Sequence, residues 1–129
     1  MDIKKRESED LQPVASLLRS YWKERGMDYD QEWTINYLTK GHAAEIKKDY
    51  SFVLKENDKL IGTVALVIYE GDVAEMRDLV VKKEYRKKGY GKKLMEFMLD
   101  HCLRNDVRKI YALIFQQYRF FFEKYQFVL

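Results

Sequence analysis

The chain has 129 residues, 35% charged and 47% hydrophobic, with 15% aromatic residues and one proline, a balance that excludes a disordered, collagen-like or low-complexity polypeptide. A single domain of this length buries roughly two-thirds of its unfolded surface, and its one cysteine, Cys102, excludes an intrachain disulfide and a cysteine-based zinc cage. Net charge is only +3; acids at Glu7, Glu9 and Asp10 exclude a secretory signal, and the longest apolar run, 60–69, is far short of the ~20 residues that span a bilayer, so a cytoplasmic protein without a membrane anchor is expected.

Ile3 begins a short strand-like segment, and Ser8 or Asp10 offers an N-cap to a helix in which Val14, Leu17, Leu18, Tyr21 and Trp22 share one face. Pro13 falls in the first turn, where its missing N–H is tolerated, and Gly26 ends the helix. Asp30 caps a second pattern carrying Trp33, Tyr37 and Leu38, loosened at Gly41. The aromatic face of this helix pair reads as packing surface rather than a cofactor box.

The period then changes to two. Runs 50–54 and 60–69 flank the polar turn Glu56-Asn57-Asp58-Lys59 and predict a hairpin, and after Glu70-Gly71-Asp72 the run 73–81 predicts a third strand. Tyr85-Arg86-Lys87-Lys88-Gly89-Tyr90-Gly91 opens a helix whose Leu94, Met95, Met98, Leu99 and Cys102 form an apolar stripe. Asn105-Asp106 ends it, 109–115 reads as a strand and 116–124 as a short helix. His101 is a boundary residue beside the stripe, and Cys102 lies on it as a small hydrophobe rather than an acyl carrier. Without a linker or repeat, residues 1–129 read as one domain.

Charge is concentrated between Lys82 and Lys93, where Lys82, Lys83, Arg86, Lys87, Lys88, Lys92 and Lys93 stand against the single acid Glu84. Lysines clothing a solvated loop are one reading. The other follows from the strand, basic glycine turn and helix together. The first turn of a helix exposes unpaired N–H groups and the positive end of its dipole, and Gly89 and Gly91 allow a phosphate to approach that backbone. The spacing is neither a Walker loop nor a dinucleotide fingerprint. Tyr85 and Tyr90 interleave the basic patch, but no nucleic-acid recognition motif accompanies them, so no nucleic-acid partner is expected.

These residues resemble the GNAT superfamily of acetyl-CoA-dependent N-acetyltransferases. The family hallmark [QR]-x-x-G-x-[GA] stands here as Arg86-Lys87-Lys88-Gly89-Tyr90-Gly91. Met76-Arg77-Asp78-Leu79-Val80-Val81 is similar to the family's fourth strand, Lys92-Lys93-Leu94-Met95 to the start of its third helix, and Phe121-Phe122-Glu123-Lys124-Tyr125-Gln126-Phe127 to its F-Y-E-K-x-G-F segment. The resemblance implies an α+β (α/β) fold with a mixed, mostly antiparallel central sheet flanked by helices. Because the sequence stops at Leu129, the C-terminal strands would be shortened, leaving an edge that a twofold partner or a bound peptide could close.

The resemblance also implies a site. Leu79, Val80 and Val81 would line the pantetheine arm of acetyl-CoA, and Arg86, Lys87, Lys88, Gly89, Tyr90, Gly91 and Lys92 would hold its pyrophosphate. Acetyl-CoA would be a co-substrate, no metal is implied, and the acceptor would be a small-molecule or peptide amine. Glu75 keeps the distance to Gly89 of the base-bearing strand in the histone-acetyltransferase branch, which makes it the candidate general base. Its alternative is a strand glutamate facing solvent or paired with Arg77 or a lysine. Phe122 replaces the tyrosine that serves relatives as general acid, with Tyr118, Tyr125 or water as substitutes. Phe115 stands where many relatives have asparagine, and Gln126 replaces a glycine. Asp28, Asp30 and Glu32 in the first interhelical loop could attract a cationic amine, although Asp30 serves equally well as a helix cap.

Overall fold

A computed structural model of the chain describes residues 2–39 and 46–112. Strand β1 (Asp2–Lys5) leads through a short 3-10 turn (Ser8–Asp10) into helices α1 (Leu11–Lys23) and α2 (Gln31–Thr39). Strands β2 (Ile46–Glu56), β3 (Lys59–Tyr69) and β4 (Val73–Val81) follow, then a second 3-10 turn (Lys83–Tyr85), helix α3 (Tyr90–Arg104) and strand β5 (Lys109–Ala112). The sheet order is β1-β2-β3-β4-β5, with β4 and β5 parallel and the other pairs antiparallel. The mixed, mostly antiparallel sheet flanked by helices agrees with expectation.

Local chemistry explains most boundaries. Asn57 and Asp58 both take positive φ, 51° and 63°, between the paired residues Glu56 and Lys59, as a two-residue hairpin turn matched to strand twist requires. Strand β2 reaches beyond the expected 50–54, because pairing with the apolar β3 carries its charged ends into the ladder. Near α1, Ser8–Asp10 forms a separate 3-10 turn capped by Glu7, and the Asp10 carboxylate gives no side-chain cap to α1. Instead Asp10 accepts the Glu7 N–H at 2.8 Å and pairs with Lys55. Burial opposes its ionisation, but the Lys55 ammonium and the Glu7 N–H hold the carboxyl below the usual carboxylate range.

Both faces of the sheet are covered. On one, Phe52, Leu54, Val64, Leu66, Ala74 and Met76 pack against Leu94, Met95, Met98 and Cys102 of α3. On the other, Val53, Leu60 and Val80 pack against Val14, Leu17 and Leu18 of α1. Double coverage makes β3 apolar almost throughout rather than alternating. Gly62 marks the closest approach, since a Cβ there would lie 2.9 Å from both Leu94 Cδ1 and the Val80 carbonyl. The expected strand beyond Ala112 and helix at 116–124 lie outside the described residues, as do Gly41, Phe115, Tyr118, Phe122, Tyr125, Gln126 and Phe127.

Candidate functional site

Strand β4 switches its side-chain faces halfway. Ala65 pairs with Arg77 and Thr63 with Val80, so Val64 alone faces Asp78 and Leu79. This is a β-bulge, and Asp78 occupies it with φ 54°, a left-handed conformation that aspartate tolerates better than most residues. The extra residue reverses the side-chain alternation. Before it, Ala74 and Met76 face α3; after it, Leu79 and Val81 do, while Val80 is buried against α1. Of the three residues expected along the pantetheine arm, two therefore point to one face and one to the other. Strand β5 pairs with β4 over Val73–Met76 within the described residues.

The basic turn connects β4 to α3. Gly89 is the residue preceding the helix, at φ 89° and ψ 4°, and no side chain caps the first-turn amides. That conformation is one that glycine alone adopts at little cost, and a Cβ there would meet nothing within 4 Å. Tyr90 and Gly91 fall in the first turn, so α3 starts four residues before Leu94, the first residue of the apolar stripe. Lys87, at φ 64°, Lys88 and Lys92 are exposed, with Lys92 3.9 Å from Glu96. Tyr85 and Tyr90 meet edge to face with centroids 6.0 Å apart, and the Lys88 ammonium lies 5.8 Å over Tyr85.

Arg86 has a different role from its neighbours. Its Nε donates to the Val81 carbonyl at 2.8 Å, while its terminal nitrogens donate to Glu24 at 2.8 and 3.2 Å. The guanidinium holds the Glu24 carboxyl below its usual range. Arg86 thus ties the end of α1 to the turn, across a cavity of about 620 Å³ lined by Pro13, Leu17, Tyr21, Leu60 and Lys82.

Glu75 stands on β4, half-buried, in an ion pair with Arg77, which also donates to the Tyr69 hydroxyl at 3.2 Å. The paired alternative for Glu75 is the one observed. Asp30 accepts the Trp33 N–H at 2.7 Å and so caps α2, while Asp28 and Glu32 are exposed. Trp22, Tyr29, Trp33 and Tyr37 form an aromatic cluster in which Tyr29 stacks on Trp33 at 4.2 Å and Trp33 on Tyr37 at 5.8 Å. Burial raises the Cys102 thiol to about 11, which leaves it inert. Among the described residues, no group of three His, Cys, Asp or Glu side chains could hold a metal ion, and no helix is long and apolar enough to cross a membrane.

One group lacked any signal in the sequence. The Tyr37 hydroxyl donates to both oxygens of Asp78, at 3.2 and 3.1 Å. Burial raises the Asp78 carboxyl to about 6, although Tyr37, Arg77 and Arg6 pull it down; Glu75 adds to the rise. Tyr37 is in turn raised by burial and by Asp78. The two residues are 41 positions apart, and the bulge that aims Asp78 at α2 has no glycine to announce it.

The model of the acetyltransferase (GNAT) family matches residues 11–126. The chain belongs to this family. No curated protein matches it. Among solved structures, a GNAT-family acetyltransferase from Staphylococcus aureus Mu50 superposes with a TM-score of 0.79 at 16% identity, over 96% of this chain and 82% of the other. A predicted acetyltransferase with acetyl-CoA from Clostridium acetobutylicum gives 0.79 at 14% identity, over 99% and 90%. An aminoglycoside 6'-N-acetyltransferase complexed with coenzyme A gives 0.68 at 20% identity, over 87% of this chain and 61% of that one. At these identities the likeness concerns the fold.

Proposed function

We propose that the chain, as a single domain over residues 1–129, transfers an acetyl group from acetyl-CoA to a primary amine by direct attack. The observation that carries this reading is the start of α3, where Gly89 turns the chain and the first-turn amides lack a side-chain cap inside a lysine-rich loop. Such a terminus suits a pyrophosphate. Lys87, Lys88, Tyr90, Gly91 and Lys92 would surround it, with Arg86 holding the turn in shape through Glu24 and Val81. Leu79, Val80 and Val81 would offer their backbone to the pantetheine arm. The solved acetyltransferases with acetyl-CoA or coenzyme A support the same co-substrate.

Attack needs a neutral amine and a group to accept its proton. Glu75, nominated by its distance from Gly89, is one candidate for that group, and it shares the α1/α2 face of β4 with Arg77. The acceptor is proposed to be a small-molecule or peptide amine; the similarity to an aminoglycoside 6'-N-acetyltransferase makes aminoglycosides one class to try. Cytoplasmic location and a twofold partner belong to the same proposal.

A second reading, a binding module that keeps acyl-CoA without turnover, is favoured by Phe122 in the place of the family's tyrosine. Thiol release from acetyl-CoA with a panel of amines separates the two. Release above background supports the enzyme, and binding with no release for any amine supports the module.

A further inference from the structure

Within the acetyl-transfer reading, on which this inference rests, two β4 carboxylates compete for the amine proton. Glu75 is engaged by the Arg77 guanidinium, a charge-assisted contact that an approaching amine would have to displace. Asp78 differs in three ways. It sits at the bulge immediately before Leu79, Val80 and Val81, the stretch assigned to the pantetheine arm. It faces α2 rather than the α3 core, and it remains partly exposed. Its hydrogen bonds come from the neutral Tyr37 hydroxyl, which leaves carboxylate lone pairs free. The charged groups facing it are Arg77 and Glu75 on β4 and Arg6 after β1, whose guanidinium also donates to the Leu38 carbonyl at 3.2 Å.

We propose that the Asp78 carboxylate, oriented by the Tyr37 hydroxyl, is the proton acceptor of the acyl transfer, and that Glu75 and Arg77 form a fixed ion pair beside it. The amine nitrogen attacks the thioester carbonyl carbon, and the carbonyl electron pair moves onto oxygen. The N–H proton passes to Asp78. Collapse restores the C=O bond, breaks the C–S bond and expels the thiolate, which takes a proton from Asp78 or solvent; amine and acetyl-CoA become amide and free thiol. With burial raising the carboxyl to about 6, Asp78 is ionised at neutral pH yet basic enough to accept the proton.

The test follows thiol release from acetyl-CoA against pH, with spermidine, kanamycin and a lysine-containing peptide as probes. In the wild type kcat/KM should fall tenfold per pH unit below about 6. Asp78→Asn keeps shape and tolerates the left-handed backbone; it should lower kcat by about 100-fold or more, abolish the acidic limb and leave the KM for acetyl-CoA unchanged. Tyr37→Phe should lower kcat by less than Asp78→Asn does and move the limb to higher pH, because the orienting hydrogen bond to the ionised form is lost. Glu75→Gln should keep the limb. Turnover and limb unchanged in Asp78→Asn, or a limb lost only in Glu75→Gln, would overturn the assignment while leaving the acetyltransferase intact. A wild-type protein that binds acetyl-CoA yet releases thiol with none of the probes would overturn the enzyme reading and this assignment with it.

Discussion

At the scale of single residues, the basic loop separates by role. Lys87, Lys88 and Lys92 are exposed cations, Gly89 supplies a turn, and Arg86 is a strut. Gly91→Glu should abolish acetyl-CoA binding without unfolding the protein, because it places bulk and negative charge in the first turn of α3; a folded variant with unchanged affinity would remove the site from that turn. Gly62 has a structural task. Gly62→Ala drives a methyl group against the Val80 carbonyl and Leu94, and the strain of such overpacking should cost about 1–3 kcal/mol in denaturant unfolding. Asp10 links pH to stability. Its carboxyl is lowered in the folded chain, so its contribution is present above the unfolded value near ~3.9 and is lost as pH falls through the lower folded value. Asp10→Asn should therefore lower the melting temperature at neutral pH, with the gap to wild type closing in acid.

At the scale of elements, what the sequence revealed depended on whether the signal was local. Strand β4 runs over the expected 73–81, since its β-rich composition is bounded by a Gly-Asp turn and a run of lysines. The hairpin turn was legible because Asn and Asp are the residues that accept positive φ. Helix α3 was legible from its stripe, yet its first residues, Tyr90 and Gly91, are poor helix formers and show themselves only through the Gly89 turn. The bulge had no such mark. An aspartate in the left-handed region reads as any strand residue, so nothing in the run 73–81 announces that Leu79 and Val81 face α3 while Val80 faces α1. Asp30 illustrates an ambiguity that only coordinates resolve, between an acid for a cationic acceptor and a helix cap. As a cap, Asp30→Ala should destabilise the protein by about 1 kcal/mol, measured by thermal or urea unfolding.

At the scale of the molecule, the two-faced sheet places different tasks on its two sides. The α3 face is apolar core, filled by Met95, Met98 and their strand partners; truncating Met98 to alanine should cost about 2–5 kcal/mol. The α1/α2 face carries the polar chemistry of β4, with Glu75 paired to Arg77 and Asp78 joined to Tyr37 of the aromatic cluster. The glycine turn stands at the end of the same strand. One strand therefore carries the carboxylate proposed to accept the proton and is followed, through the Lys83–Tyr85 turn, by the helix start proposed to bind the phosphates of acetyl-CoA. The family motif was visible as six residues, 86–91; the Tyr37–Asp78 pair, which joins α2 to that strand, was not, because its partners meet only after folding.

The central claim is that the Gly89 turn and the first turn of α3 bind the phosphates of acetyl-CoA. Calorimetric titration of the purified chain with acetyl-CoA, repeated with dephospho-CoA and ATP, tests it most directly. Saturable binding that weakens without the 3′-phosphate and is lost in Gly91→Glu is the expected result. Absence of saturable binding by a folded wild-type protein, or equal affinity for acetyl-CoA in Gly91→Glu, would contradict it.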